Sequence, residues 1–148
     1  NVQRITLLTL MLLSLPWVYA EQHSQAVNAA QEVLDQFMRE FNNRDLVALA
    51  ETLNYPHVRF ASGTVKVFAS AEEFSARPVY KALTASGWDH SSWQARDIVL
   101  ASPVKVHIAT TFERFDQDNR SIGLYPSLYI VTYLNGHWGI QARSSLAP

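Results

Sequence analysis

The turn Asn135-Gly136 constrains the fold of this chain more than any other local feature of its sequence. It lies between alternating apolar runs in YLNGHWGIQA, a setting that favours a type I′ β-hairpin. Counting outward from the turn predicts that Tyr133 faces Trp138 and that Tyr129 faces Ala142. The residues expected on one face are Tyr129, Val131, Tyr133, Trp138, Ile140 and Ala142. Those expected on the other face are Leu128, Ile130, Thr132, Gln141 and Arg143. Both faces are partly apolar, which predicts helices on one side and a partner subunit on the other.

The residues before this hairpin also read as strands. WQARDIVLASP at 93–103, VKVHIATTFERF at 104–115 and LYPSLYIVTYL at 124–134 are extended runs. The polar segment DQDNRSIG separates the second run from the third. The second half of the chain therefore predicts a long antiparallel meander.

The first half of the chain has helical periodicity instead. From Ser24 onward, apolar residues recur at the spacing of an amphipathic helix. Asp45 is a suitable N-cap for a second helix, LVALAETL. PHVRFASG at 56–63 and TVKVF at 64–68 follow as a predicted hairpin, and SAEE at 70–73 reads as a capping box. Residues 76–92 are irregular and are interpreted as a loop or a broken helix.

Residues 1–20 form a separate unit, NVQRITLLTLMLLSLPWVYA. A basic start, a short apolar run and a V-x-A site indicate a secretory signal peptide. We therefore expect a single exported domain over 21–148, periplasmic or secreted, with no stable membrane insertion of the mature chain. A buried N-terminal helix and an uncleaved anchor are the alternatives.

The composition of the chain excludes several classes of partner and of catalytic site. The net charge is −1 and no long basic run occurs, which argues against nucleic acid as a partner. The chain has no cysteine, which excludes a thiol nucleophile, an iron–sulfur cluster and cysteine-ligated zinc. Its histidines are scattered without metal-ligand spacing, and no nucleotide-binding or hydrolase motif occurs. The sequence thus predicts neither a metal site nor a cofactor.

The order of these elements resembles the nuclear-transport-factor-2-like superfamily, which includes ketosteroid isomerase, scytalone dehydratase and SnoaL-like cyclases. The resemblance rests on VLDQFMREFNNRDLVALAETLN, PHVRFASG and YLNGHWGIQARSSLAP. It implies an α+β fold in which a cone-shaped, curved antiparallel sheet wraps over the N-terminal helices. It also implies a pocket inside the cone and a homodimer formed through the outer face of the sheet.

The catalytic carboxylates of ketosteroid isomerase have no counterparts in this sequence. The strand after the second helix holds His57 and Arg59 where the isomerase has an aspartate, and the late strands offer Glu113 but no aspartate. His57 and Arg59 share a strand face, so they are candidates for proton transfer and for binding an anion. A solvated strand face, or an ion pair with Glu51 or Glu72, is the alternative.

Aromatic and cationic residues elsewhere are further candidates. His90 follows Asp89, which could orient its imidazole for proton transfer, and Trp88 and Trp93 flank this pair as a ligand-covering lid or as packing. Tyr129 belongs to a stripe of aromatic residues that fits either a core or a flat apolar ligand. Arg114 and Arg143 lie near the ends of late strands and are expected at the mouth of the cone.

These observations predict a domain that binds a small, partly apolar organic molecule inside the cone. A non-catalytic interaction module using the outer sheet face is one alternative, and an acid–base enzyme of the isomerase or dehydratase type is another. Binding requires an open cavity that contains some of these polar groups. The interaction module requires a filled cone and an exposed apolar sheet face.

Overall fold

A computed structural model describes residues 3–61 and 63–148, with side chains from residue 17 onward except at position 62. Helices cover one face of a six-stranded sheet, which confirms the predicted α+β class. The helices are α1 (Gln3–Asn43), α2 (Leu46–Glu51), α3 (Ala71–Ser75) and α4 (Val79–Ala85). The strands are β1 (Leu53–Ala61), β2 (Thr64–Phe68), β3 (His90–Ser102), β4 (Lys105–Phe115), β5 (Ser121–Leu134) and β6 (His137–Ser145).

The long helix α1 supplies the helical side of the core. Ala30, Leu34 and Phe37 lie on its apolar stripe and are buried against the sheet. The Asp45 side chain caps α2 by accepting a hydrogen bond from the Ala48 N–H at 2.9 Å, which confirms the predicted N-cap. The first helix thus ends and the second begins where the sequence predicted, whereas α2 ends at Glu51, two residues before the predicted end, and β1 begins at Leu53.

The segment interpreted as a signal peptide falls largely within α1, and its first two residues lie outside the described ones. No helix in the described part of the chain is long and apolar enough to cross a membrane. Cleavage and export stay predictions.

The sheet has the strand order β2-β1-β6-β5-β4-β3. The β3–β4–β5–β6 meander is antiparallel, as predicted, and β1 joins it by pairing with β6 in parallel. This pairing connects the two halves of the chain. It sets Arg59 beside Arg143 and Leu53 beside Ile140.

A β-bulge changes the hairpin faces. Tyr133 pairs with Trp138 and Val131 with Ile140 as predicted, but Ile130 pairs with Ala142. Tyr129 therefore faces Arg143, and the prediction that it faces Ala142 is wrong. An extra residue in β6 shifts the register by one, and a shift of one reverses the side-chain alternation beyond it. Arg143 consequently joins the face of Tyr129 instead of the opposite one.

The irregular segment 76–92 is more ordered than the sequence indicated. It contains α4, and β3 already begins at His90 rather than at Trp93. Ser70 caps α3 by accepting a hydrogen bond from the Glu73 N–H at 3.3 Å, as the capping box predicted.

Gly139 permits the close approach of β1 to β6. A Cβ at this position would lie 2.8 Å from the Leu53 carbonyl carbon and 2.9 Å from the Asn54 backbone nitrogen. Both neighbours are main-chain atoms, which cannot move aside without disturbing the strand pairing. The parallel junction of the sheet therefore requires glycine here.

We expect Gly139→Ala to lower the free energy of unfolding by about 1–3 kcal/mol, because the added methyl group overpacks a backbone contact. Urea denaturation followed by circular dichroism measures the change. Gly63→Asn is the matched control, since a Cβ at position 63 meets nothing within 4 Å and asparagine tolerates its positive φ. An unchanged unfolding midpoint for Gly139→Ala would show that the two strands are not held this closely.

Candidate functional site

A cavity of about 520 Å³ lies between the helices and the concave face of the sheet. Its helical side is apolar and comprises Phe37, Met38, Phe41, Leu49, Phe74, Val79, Ala82 and Leu83. Its strand side carries His57, Arg59, Lys66, Phe112, Arg114, Tyr129 and Arg143. Arg77, Pro78, Ser86, Ser91 and Pro148 complete the lining. The cavity therefore has one apolar wall and one cationic wall.

Three cations stand side by side on the cationic wall. Lys66 on β2 pairs with Arg59 on β1, and Arg59 pairs in turn with Arg143 on β6. Tyr129 on β5 is the next residue in this row. Like charges directly opposite each other on neighbouring strands destabilise a sheet. The row Lys66–Arg59–Arg143, which we call the cationic row, thus carries an energetic cost in the empty protein.

Two further arginines extend this positive field. The Arg114 side chain lies over the ring of Tyr125, with its guanidinium carbon 4.8 Å from the ring centroid. The Arg77 guanidinium carbon lies 3.9 Å from the Phe74 centroid, and its Nε donates a hydrogen bond to the Phe74 carbonyl. Cation–π contacts hold both side chains in place without neutralising them.

The cavity arginines lack carboxylate partners among the residues that the structure describes. The Nε atoms of Arg59, Arg114 and Arg143 are buried without a hydrogen-bond partner there, and no aspartate or glutamate belongs to the described lining. Arginines elsewhere do form ion pairs: Arg96 lies 2.6 Å from Asp35 and Arg120 lies 3.2 Å from Asp118. Buried charges are normally paired, so this group presents unused donors to the cavity.

Burial and mutual repulsion both act on these cations. The pKa of Arg77 is lowered to about 10, chiefly by burial and also by the nearby charges of Arg59 and Arg143. The pKa of Arg114 is lowered by burial and then by Arg143. An anion in the cavity would relieve this repulsion.

His57 is held at the junction of β1 and β6. Its side chain is only 2% exposed, and Nδ1 donates a hydrogen bond to the Ile140 carbonyl at 2.9 Å. This bond fixes the tautomer, because a carbonyl can only accept, and leaves Nε2 as the basic nitrogen. Burial lowers the pKa of His57 to about 4 against the effect of that hydrogen bond, and the charges of Arg143, Arg77 and Arg59 lower it as well. His57 is therefore neutral at pH 7.

Tyr129 forms the buried centre of the strand wall. Its ring packs edge-on against Phe37 and Trp93, with centroids 5.7 and 5.4 Å away, and the Arg143 guanidinium carbon lies 5.4 Å from its centroid. Burial raises the pKa of its hydroxyl, and Arg143 and Arg59 act in the opposite direction. The hydroxyl stays protonated and can donate a hydrogen bond.

The structure brings together five of the sequence-derived candidates and places the other three elsewhere. His57, Arg59, Arg114, Tyr129 and Arg143 line the cavity, whereas Trp88, Trp93 and His90 are not among its lining residues. The Trp88 Nε1 donates to the Ser91 hydroxyl at 2.8 Å, and the Trp93 Nε1 donates to the Leu34 carbonyl at 3.2 Å.

His90 has the partner that its sequence neighbour suggested. Its Nδ1 lies 2.9 Å from an Asp89 carboxylate oxygen, and its ring stacks on Phe115 with a centroid separation of 5.0 Å. The Asp89–His90 pair thus forms at the start of β3, away from the cavity lining.

Sequence reasoning missed Arg77 and Lys66 as cavity residues. Arg77 lies between α3 and α4 in the segment interpreted as irregular, where no periodicity indicates direction. Lys66 lies two residues before Phe68 on β2, so the two side chains point to the same face of the strand. The burial of Phe68 shows that this is the inner face. In the described part of the chain, no group of three or more acidic or histidine side chains could hold a metal ion.

Comparison with known proteins identifies relatives by sequence and by fold. Residues 25–147 match a family model described as NTF2-like protein (DUF6841). No curated protein matches the chain.

Several crystal structures share the fold. An NTF2-like protein with a cystatin-like fold from Novosphingobium aromaticivorans superposes with a TM-score of 0.67 at 12% identity, covering 99% of this chain and 91% of that one. An NTF-2 like protein of unknown function from Shewanella oneidensis MR-1 gives 0.65 at 14% identity, covering 82% and 98%. A ketosteroid isomerase-like protein from Erwinia carotovora atroseptica gives 0.60 at 17% identity, covering 82% and 96%. At these identities the likeness concerns the fold alone.

The depressed pKa of His57 predicts a specific pH dependence of stability. The unfolded chain binds this proton near pH 6.5, but the native state binds it only near pH 4. Between these values the unfolded state holds more protons, so the free energy of unfolding falls as pH decreases, by at most about 3 kcal/mol.

Urea denaturation at several pH values between 7 and 4 measures this effect. We expect His57→Gln to lose this part of the pH dependence, since glutamine can still donate to the Ile140 carbonyl but does not titrate. His107→Gln is the matched control, because His107 lies on β4 and is not among the residues that line the cavity. Equal pH dependence in wild type and His57→Gln would mean that burial does not suppress the charge of His57.

Proposed function

This chain belongs to the NTF2-like protein family DUF6841, and from that premise we propose that it binds a small organic anion in the cavity between helices and sheet. The observation that carries the proposal is the cationic row Lys66–Arg59–Arg143, which faces the cavity together with Arg77 and Arg114. None of these has a carboxylate partner among the described residues of the chain. Arginine matches the geometry of carboxylates and phosphates through paired N–H donors.

The ligand also needs an apolar body. The wall opposite the arginines is formed by apolar side chains such as Phe37, Phe41, Leu49 and Leu83. Rings and aliphatic chains gain roughly 25 cal/mol for each Å² of apolar surface removed from water. A cavity of about 520 Å³ is within the range of sites for small molecules. An aromatic or alicyclic acid fits both walls.

The geometry favours binding over acid–base catalysis. The best-placed base is His57, whose pKa of about 4 makes it a weak base at neutral pH. Its Nδ1 is occupied by the Ile140 carbonyl. The described lining contains no carboxylate that could share a proton with it.

The proposal predicts opposite effects of one substitution on binding and on stability. Arg143→Gln removes the charge that the cationic row has on β6, next to Arg59. We expect it to weaken the binding of 2-naphthoate at least tenfold, because a charge-assisted hydrogen bond is lost. We also expect the empty protein to become more stable, by up to about 1 kcal/mol, because repulsion between neighbouring strands is relieved.

Titration calorimetry with 2-naphthoate and its neutral analogue 2-naphthamide measures binding, and urea denaturation measures stability. Arg120→Gln is the matched control, since Arg120 forms an exposed ion pair with Asp118. Equal affinity for the two compounds would contradict an anion site. A less stable Arg143→Gln protein would indicate that Arg143 is chiefly a structural residue.

A second proposal concerns the convex face of the sheet, which we propose binds a second copy of the chain. Phe60 pairs with Val65, and Val58 pairs with Val67, on strands β1 and β2. Phe60, Val65 and Val67 are each about half exposed or more, at 47%, 59% and 56%. Such contiguous apolar surface marks interaction sites. Because a two-fold interface uses the same patch on both subunits, an apolar sheet face can pair with its own copy.

We expect the protein to form a dimer at micromolar concentration in sedimentation velocity experiments. Phe60→Lys should shift it to monomers, because each subunit would have to bury an unpaired ammonium group in the apolar interface. Val47→Lys, at an exposed apolar position on α2 outside this face, should leave the dimer intact. A monomeric wild-type protein at all concentrations would overturn this proposal.

A further inference from the structure

The outermost arginines of the cavity, Arg77 and Arg114, lie toward opposite ends of its strand wall. Arg77 lies over Phe68 at the end of β2, with its guanidinium carbon 4.7 Å from the ring centroid. Arg114 extends from β4 over Tyr125 of β5. The strand order β2-β1-β6-β5-β4 places these two sites on opposite sides of the cavity wall. With neighbouring strands about 4.8 Å apart, the backbones of β2 and β4 are separated by roughly 19 Å along the sheet, and side chains that point to its concave face lie closer together than this.

The space between these ends is bridged by the cationic row and by aromatic rings. Arg143 lies near the middle, where its guanidinium carbon is 5.7 Å from the centroids of both Phe37 and Phe112. The Arg114 guanidinium carbon lies 5.8 Å from the same Phe112 centroid. One end of the row therefore meets Arg114 across an aromatic ring. The other end is formed by Arg59 and Lys66, on the side of Arg77.

One anionic group cannot serve all of these donors. A carboxylate has two oxygens, which are satisfied by one or two guanidinium groups. A ligand with one carboxylate would leave the partly buried arginines at the other end without an anionic partner, a costly arrangement. The pKa values of Arg77 and Arg114 are both lowered by burial and by neighbouring arginines, so both ends experience this cost.

We propose that the ligand carries at least two anionic groups separated by a rigid apolar body, one bound near Arg77 and Arg59 and the other bound near Arg114. This proposal rests on the anion-binding function proposed above and specifies its ligand class. A planar dicarboxylate or a phosphorylated aromatic acid satisfies it. Arg143 contacts the ligand between the two ends, and the helical wall packs against its apolar body.

Matched ligands with the same ring system test the proposal on the 148-residue chain. The series is 2-naphthamide, 2-naphthoate and 2,6-naphthalenedicarboxylate, measured by titration calorimetry at one ionic strength because screening changes with salt. We expect the dicarboxylate to bind roughly ten- to hundredfold more tightly than the monocarboxylate, corresponding to one additional charge-assisted contact.

Variants at the two ends distinguish two sites from one. Arg77→Gln and Arg114→Gln should each reduce the affinity for the dicarboxylate to about that of the monocarboxylate. At most one of them should weaken the binding of 2-naphthoate, since a single carboxylate occupies one end. Arg120→Gln should change neither affinity. If either variant at the ends fails to fold, the comparison of the three ligands on the wild-type chain decides the matter.

The outcomes separate this inference from the function on which it rests. Equal affinities for the monocarboxylate and the dicarboxylate, both above that of the amide, would overturn the two-anion ligand and leave the anion site standing. Equal affinities for all three compounds, or no binding of any, would overturn both. The expected order is dicarboxylate, then monocarboxylate, then amide.

Discussion

The parallel pairing of β1 with β6 is the contact on which the remaining architecture depends. It joins the helical first half of the chain to the meander of the second half, and it requires glycine at position 139. The same pairing brings Arg59 beside Arg143 and gives His57 its partner, the Ile140 carbonyl. The strand junction that completes the sheet therefore also assembles the cavity wall.

The β-bulge in β6 adds the positive charge of Arg143 to this wall. Without the extra residue, strict alternation would point Arg143 toward the convex face, and the cationic row would lose its member on β6. Bulges commonly re-aim a side chain at functional sites. Here the result is three neighbouring cations on the concave face, an arrangement that opposes stability and on which the proposed binding of an anion rests.

Local patterns predicted the elements well, and long-range pairing was the main source of error. The Asp45 and Ser70 caps and the Asn135-Gly136 turn depend on neighbouring residues, so sequence alone reveals them. The inward direction of Arg143 depends on a bulge that interrupts the alternation without any change in composition. Arg77 reaches the cavity from a segment with no periodicity. The position of Arg77 depends on how this segment packs against distant parts of the chain, which no local sequence pattern predicts.

The helix α4 has a consequence for the rate at which a ligand exchanges. The segment from Arg77 to Ser86 closes one side of the cavity, yet α4 itself contains no buried residue. Segments with few buried contacts open at a small fraction of the cost of global unfolding. A ligand that enters past this short helix would then have a residence time set by the opening of the helix, while the sheet keeps its hydrogen bonds. Amide hydrogen exchange in α4 and ligand release would share one rate-determining event.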